Sequence, residues 1–294
     1  MSFIVTCSST ADMSREYFEE RNVRFACFHV IINGKEFNDD YGISMSNKDF
    51  YKKITDGAEV STSQIAPEEY TAFFKPLLEK GNDILHISLS SGISGTWNAA
   101  KIAQEELLKS FPERKLIVID SLGASSGYGM LVDTACDLRD SGVAIEEAEA
   151  ELERIKLNVN HWFFSTDLTM YLKGGRISKS SAVFGTLLNI CPLLNVNDEG
   201  KLIPREKCRG KKKVINRIVQ MMEENAYNGT DYDGKCFISH SDCIEDAEKV
   251  KNLIEDRFPN MKGKIKIYNV GTVIGAHTGV GTVALFFMGI TRTR

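Results

Sequence analysis

Short Val- and Ile-rich runs alternate with helix-periodic segments through the first half of the chain, and that alternation admits few folds. The runs FIVT (3–6), ILHIS (84–88) and KLIVID (115–120) look like strands covered on both faces. A helix is predicted from Pro67, with Tyr70, Phe73, Phe74, Leu77 and Leu78 as its apolar stripe. Proline suits the first helical position because the N–H it lacks would be unpaired there anyway. A second helix is predicted from about Asn98 to Lys109, with Ala99, Ile102, Ala103 and Leu107 on one face. Strand–helix–strand units of this kind close by right-handed crossovers into a parallel sheet.

At 294 residues the chain exceeds what one core usually fills, so two domains are expected. A helix near Ile145–Lys156 ends the first, and a new strand, HWFFST, begins at His161. The boundary therefore divides an N-terminal α/β domain, 1–159, from a C-terminal one, 160–294. In the second, CPLLNVNDEGKLIPREKC reads as a hairpin with its turn at Asn197–Gly200. A helix with Val214, Ile215, Ile218, Val219 and Met222 on one face follows. Then come the strand KCFISHS, a helix opened by a capping box from Asp242 to Glu245, the strand KIKIYNVG, and the glycine-rich run TVIGAHTGVGTVALFF from Thr272 to Phe287. The expected architecture is α/β, with a parallel sheet first and a mixed sheet second.

Several function classes are disfavoured. The net charge of −4 is wrong for a protein that tracks nucleic-acid phosphates. No apolar run approaches a membrane span, and the N-terminus lacks the pattern of a signal peptide. Seven cysteines, an odd number with no C-x-x-C pair, fit reduced thiols in a cytoplasm. Only His240 and Cys243 have a metal-like spacing, and no second pair completes it, so no metal is expected. Phosphate-binding P-loops and dinucleotide fingerprints are absent.

Two hydroxyl-rich segments carry candidate chemistry. Ser94 lies between Gly92 and Gly95 in SLSSGISGTWNAA, and Thr62 lies between Ser61 and Ser63. Each reads either as helix capping or as a set of donors for an anion. His277 sits alone among glycines, open to reading as a packed residue, a base or a polar donor. A serine hydrolase using Ser94 and His277 is an alternative, but Thr96 replaces the second glycine of the nucleophile elbow and no Asp is identifiable to orient the histidine. A small-molecule sensor is another. KGGRISK (173–179) and CRGKKK (208–213) are basic, as a solvated surface or a patch for an acidic partner would be.

Taken in order, STSQIAP, SLSSGISGTWNAA, VIDSLGASSGYGMLV, YLKGGRIS, LLNICPLL, KCRGKKK and IGAHTGVGTVALFF resemble the motif series of the DegV family. These are bacterial fatty-acid-binding proteins, also called FakB proteins, and the resemblance covers nearly the whole chain. It implies a two-domain DegV-like fold with a lipid tunnel. It implies a cytoplasmic carrier, not an enzyme, that needs no cofactor and makes at most transient membrane contact. The carrier presents the carboxylate of a bound long-chain fatty acid to a separate kinase, FakA, which makes an acyl phosphate for phospholipid synthesis. By the same resemblance Thr62, Ser94 and His277 bind the carboxylate, while Arg176 and Arg209 belong to the face where the kinase docks. One departure is Cys7-Ser8 in place of the family's Thr-Asp, which implies a carboxylate lost from the floor of that loop. Tunnel lining is expected among Phe163, Phe164, Phe184, Leu187, Leu188, Leu193, Phe286 and Phe287, most of which also suit plain core.

Overall fold

The computed structural model describes residues 3–177 and 189–294. The first half runs β1 (Ile4–Ser8), α1 (Arg15–Glu20), β2 (Arg24–Ala26), β3 (His29–Ile32), β4 (Lys35–Asn38), α2 (Asn47–Thr55) and β5 (Val60–Ser63). It continues with α3 (Pro67–Glu79), β6 (Ile84–Ser88), α4 (Thr96–Ser110), β7 (Leu116–Asp120), α5 (Ser126–Asp140) and α6 (Ile145–Ile155). The second half contains β8 (Val159–Phe164), α7 (Thr169–Lys173), β9 (Ile190–Val196), β10 (Leu202–Arg209) and α8 (Lys211–Asn225). It closes with β11 (Cys236–His240), α9 (Ile244–Arg257), β12 (Lys266–Asn269), α10 (Thr272–Thr278) and β13 (Val283–Met288).

Three sheets result. The order β2-β1-β6-β7 is parallel throughout, as the buried apolar runs require. The order β4-β3-β5 is a small antiparallel sheet, and β10-β9-β8-β13-β11-β12 is mixed. Helix α5 packs against β1 on one side and against β8, β11 and β13 on the other. It is therefore buried nearly all round, from Ser126 to Asp133 without a break.

Strand alternation sorts the aromatic residues of the mixed sheet. Phe163 and Phe286 face the first half and join its core. Phe164, Leu193 and Phe287 point the other way, into a second core under α8 and α9. The expectation that these three line a tunnel is thereby corrected: each directly follows or precedes an inward residue in its strand. Phe184, Leu187 and Leu188 lie outside the described residues.

Two local expectations also change. Helix α9 has no capping box, because Asp242 adopts φ 51° and falls outside the helix, leaving Cys243 at the cap without a side-chain bond. Ile102 is 48% exposed, while Ala99, Ala103 and Leu107 of the same helix are buried. The stripe of α8 is buried as read, and so is the hairpin turn's geometry, with Gly200 at φ 71°. Among the described residues, no helix is long and apolar enough to cross a membrane.

Candidate functional site

The inner face of the mixed sheet, helices α7 and α10, and the segments around Thr62 and Ser94 enclose a cavity of about 730 Å³. That lies within the range of small-molecule sites, roughly 300–1,000 Å³. Thr62, Ser94, His277 and Arg176 all line it; Arg209 does not. Arg209 is exposed at the end of β10. Much of the remaining wall is apolar, including Phe28, Leu89, Ile93, Phe163, Val273 and Phe286.

Helix α10 sets the position of His277. Its N-terminus is held by two buried acids from the first half. Gly271 N–H donates to Asp12 Oδ1 at 2.9 Å. Thr272 donates to Asp39 Oδ1 from its amide at 3.1 Å and from its hydroxyl at 2.8 Å. Carboxylates suit the positive end of a helix. Burial pushes both carboxyls above their ordinary range, and these donors pull against it. At the other end, Gly279 takes φ 67° and stops the helix directly after His277 and Thr278.

His277 Nε2 then lies 2.8 Å from Thr62 Oγ1, across 215 residues of sequence. Thr62 stands within the antiparallel strand β5, opposite Val30, rather than in a capping turn. Gln64, just past the end of β5, lies against Gly95, where an added Cβ would meet Gln64 Oε1 at 2.6 Å. This brings Ser94 to the same end of the cavity. Ser94 Oγ accepts from Thr96 N–H at 3.3 Å, but the N-cap of α4 is Gly95 and has no side-chain bond, so Ser94 makes a local turn just ahead of the helix. Its hydroxyl proton has no acceptor among the described residues.

His277 Nδ1 is enclosed and has no partner among the described residues. It abuts Gly174, where a Cβ would sit 2.2 Å away. Burial, and secondarily the nearby Arg176 guanidinium, pull the imidazole down to about 4. His277 is therefore neutral at pH 7. The hydrolase alternative needs Nε2 on the serine and an acid on Nδ1, and the described residues give neither.

The low value makes a prediction about acid stability. An unfolded imidazole binds a proton near 6.5, and the folded one does so near 4. Between those values the unfolded chain holds more protons, so this residue makes stability fall as pH falls. A His277→Gln variant should lose that slope. Its urea-unfolding free energy relative to the parent should improve by roughly 2 kcal/mol between pH 7 and pH 4, allowing for the ring's partial exposure. A constant difference would show that the ring titrates normally.

Several other candidates are accounted for. His86 is fully buried, with Nδ1 3.0 Å from Thr6 Oγ1, as a core strand histidine should be. His240 Nδ1 accepts from Cys243 N–H at 3.2 Å, so that spacing makes a turn. Among the described residues no three metal-ligating side chains cluster. Cys7 and Ser8 do not line the cavity. Ser8 Oγ lies 3.1 Å from Thr10 Oγ1 and 2.9 Å from Tyr128 OH, in a buried hydroxyl cluster.

The charge balance of the cavity is one-sided. Among the described residues it is lined by Arg176 and the exposed Lys173 but by no Asp or Glu. A family model described as "Uncharacterised protein, DegV family" matches residues 2–289. A DegV domain-containing protein of Clostridium perfringens (strain 13 / Type A) is 34% identical over 290 residues, covering 99% of this chain and 98% of its own. The chain belongs to the DegV family. DegV structures share its fold: a parallel-sheet N-terminal part and a mixed-sheet C-terminal part. A DegV family protein from Thermus thermophilus, described by its fatty acid binding, has a TM-score of 0.86 at 26% identity, covering 99% of this chain and 100% of that one. DegV of Bacillus subtilis, described as a fatty acid binding protein, has a TM-score of 0.83 at 27% identity with the same coverage.

Proposed function

We propose that this DegV protein binds a long-chain fatty acid and presents its carboxylate to a separate fatty-acid kinase of the FakA type, for acyl-phosphate formation in phospholipid synthesis. On this reading it works in the cytoplasm and meets membranes only transiently. The observation that carries the lipid reading is a cavity with hydroxyl, imidazole and guanidinium groups at one end, no acid among the described residues of its wall, and many apolar residues elsewhere in it. A tail of some 14 methylenes gains on the order of 11 kcal/mol from burial before ordering costs. Its charged head must not be buried unpaired. Thr62, Ser94 and His277 form the seat for that head: Nε2–H of His277 donates to Thr62 Oγ1, which frees the hydroxyl protons of Thr62 and Ser94 for the carboxylate, and neutral donors leave it available to attack a phosphoryl group. The fatty-acid-binding descriptions of the Thermus thermophilus and Bacillus subtilis relatives support the same ligand.

Mass spectrometry of denatured, freshly purified protein should release a long-chain acid. Protein that carries none and takes up neither palmitate nor oleate overturns the proposal. Thr62→Ala and Ser94→Ala should each weaken binding by roughly 1–3 kcal/mol, the scale of a hydrogen bond to a charged group. Unchanged affinity in both places the head elsewhere.

The kinase partnership has a separate test. Arg209 is exposed beside the exposed Lys212 and Lys213, a basic surface suited to an acidic partner. Lys211 is already paired with Asp246 at 2.6 Å. Arg209→Ala should leave lipid affinity unchanged and slow acyl phosphorylation by added kinase. Lost lipid binding instead would remove Arg209 from a docking role.

A further inference from the structure

The inner wall of the cavity carries a second histidine that the carboxylate site does not use. His161 lies on β8, directly opposite Phe286 of β13, and is 2% exposed. Its ring lines the cavity and meets Phe286 edge to face at 5.2 Å. Nδ1 is enclosed without a partner, and neither ring nitrogen has a hydrogen bond among the described residues. An unpaired polar group in a core costs free energy that leucine or phenylalanine would avoid. The fold nevertheless clears space for this ring. A Cβ at Gly127 would sit 2.2 Å from Cε1 and 2.4 Å from Nδ1, and one at Gly123 would sit 2.7 Å from Cε1. Both glycines come from the SLGASSGYG segment at the entry to α5, which the head-group chemistry leaves unexplained.

The position along the wall is set by the sheet. Thr282 Oγ1 donates to Thr278 O, in the helix that carries His277. Phe286, the partner of His161, is four residues further along, roughly 13 Å at strand spacing. His161 therefore lies along the sheet from Thr282, and on the fatty-acid reading it stands beside the acyl chain.

We propose that His161 makes this part of the cavity a seat for a hydroxyl group on the acyl chain, so that the protein prefers a monohydroxy long-chain acid to the plain saturated acid of equal length. With Nδ1 sealed against Gly127, a ligand meets the ring at Nε2, and a hydroxyl suits that nitrogen in either tautomer, accepting from it when it is protonated and donating to it when it is not. A second carboxylate fits less well. The ring is buried, and the neighbouring Arg292 guanidinium opposes its protonation while its Nη1 and Nη2 donate to the backbone carbonyls of Val196, Asn197 and Lys156. This inference rests on the fatty-acid reading and narrows its ligand class.

The test measures affinity of the full, delipidated chain for stearic acid and for a series of monohydroxystearic acids differing only in hydroxyl position. One isomer should bind roughly tenfold tighter than stearic acid, the scale of one well-placed hydrogen bond. His161→Leu should abolish that preference, so that every isomer binds the variant no tighter than stearic acid binds the same variant. Wild-type protein that binds stearic acid as tightly as every isomer overturns the inference, and that comparison needs no variant. A preference that survives in His161→Leu overturns it too. Failure to bind stearic acid and every isomer alike would remove the fatty-acid reading itself.

Discussion

Replacing Gly174 with alanine is expected to reduce fatty-acid affinity by about tenfold or more, a loss of at least 1.4 kcal/mol. Gly174 has φ −74° and ψ −8°, which alanine adopts without strain. The main obstacle is the histidine, with Met170 O a lesser one at 3.2 Å. The new Cβ would stand 2.2 Å from His277 Nδ1 and 3.2 Å from its Cε1. The ring must move, and moving it breaks the 2.8 Å contact with Thr62. Overpacking of this kind costs about 1–3 kcal/mol in stability. Gly175→Ala is the control. Nothing lies within 4 Å of its Cβ position, but φ is 68°. That variant should lose about 1 kcal/mol of stability from the backbone and keep its lipid affinity. Titration with a fluorescent fatty acid separates the two. Parental affinity in Gly174→Ala would remove His277 from the carboxylate site.

The largest loss of stability is expected at Arg292. Its side chain is 5% exposed, and it ties the chain's C-terminal end to two distant segments. Nη1 donates to Val196 O at 3.3 Å and Asn197 O at 2.8 Å, and Nη2 donates to Lys156 O at 3.2 Å. Burial pulls the guanidinium down to about 10, which still leaves it charged at pH 7. Arg292→Leu removes the donors from three carbonyls at once and should cost about 3–5 kcal/mol in urea unfolding. Arg292→Lys should recover little, because one ammonium cannot reproduce the planar fork that reaches three oxygens. A loss below about 1 kcal/mol would mean that water replaces the guanidinium without penalty.

Three strands of the parallel sheet, β1, β6 and β7, were legible because their runs are mostly apolar, whereas β2 is three residues long, opens on Arg24 and gave no such run. The hairpin was legible because Asn197–Gly200 is turn chemistry between two strand patterns. Helix α5 was not legible as a helix. Sheets cover it on two sides, so it lacks the polar face that makes a periodic stripe visible. The candidate residues were found by their types and by family likeness, but their arrangement was hidden. No spacing rule links Thr62 to a histidine 215 residues away. Asp12 and Asp39, which fix the helix carrying that histidine, gave no signal beyond being acids in loops. His161 did have one. It stands two residues before Phe163, so strand alternation alone puts both on one face and Phe164 on the other.

The absence of acids from the described cavity wall has a consequence for bookkeeping in the cell. An ester or an alcohol of the same chain length has the same tail, but it brings no charge to Arg176 and no oxyanion to Thr62 and Ser94. On the fatty-acid reading, the protein therefore separates free acyl chains from those already built into lipid. What it counts is the unused supply.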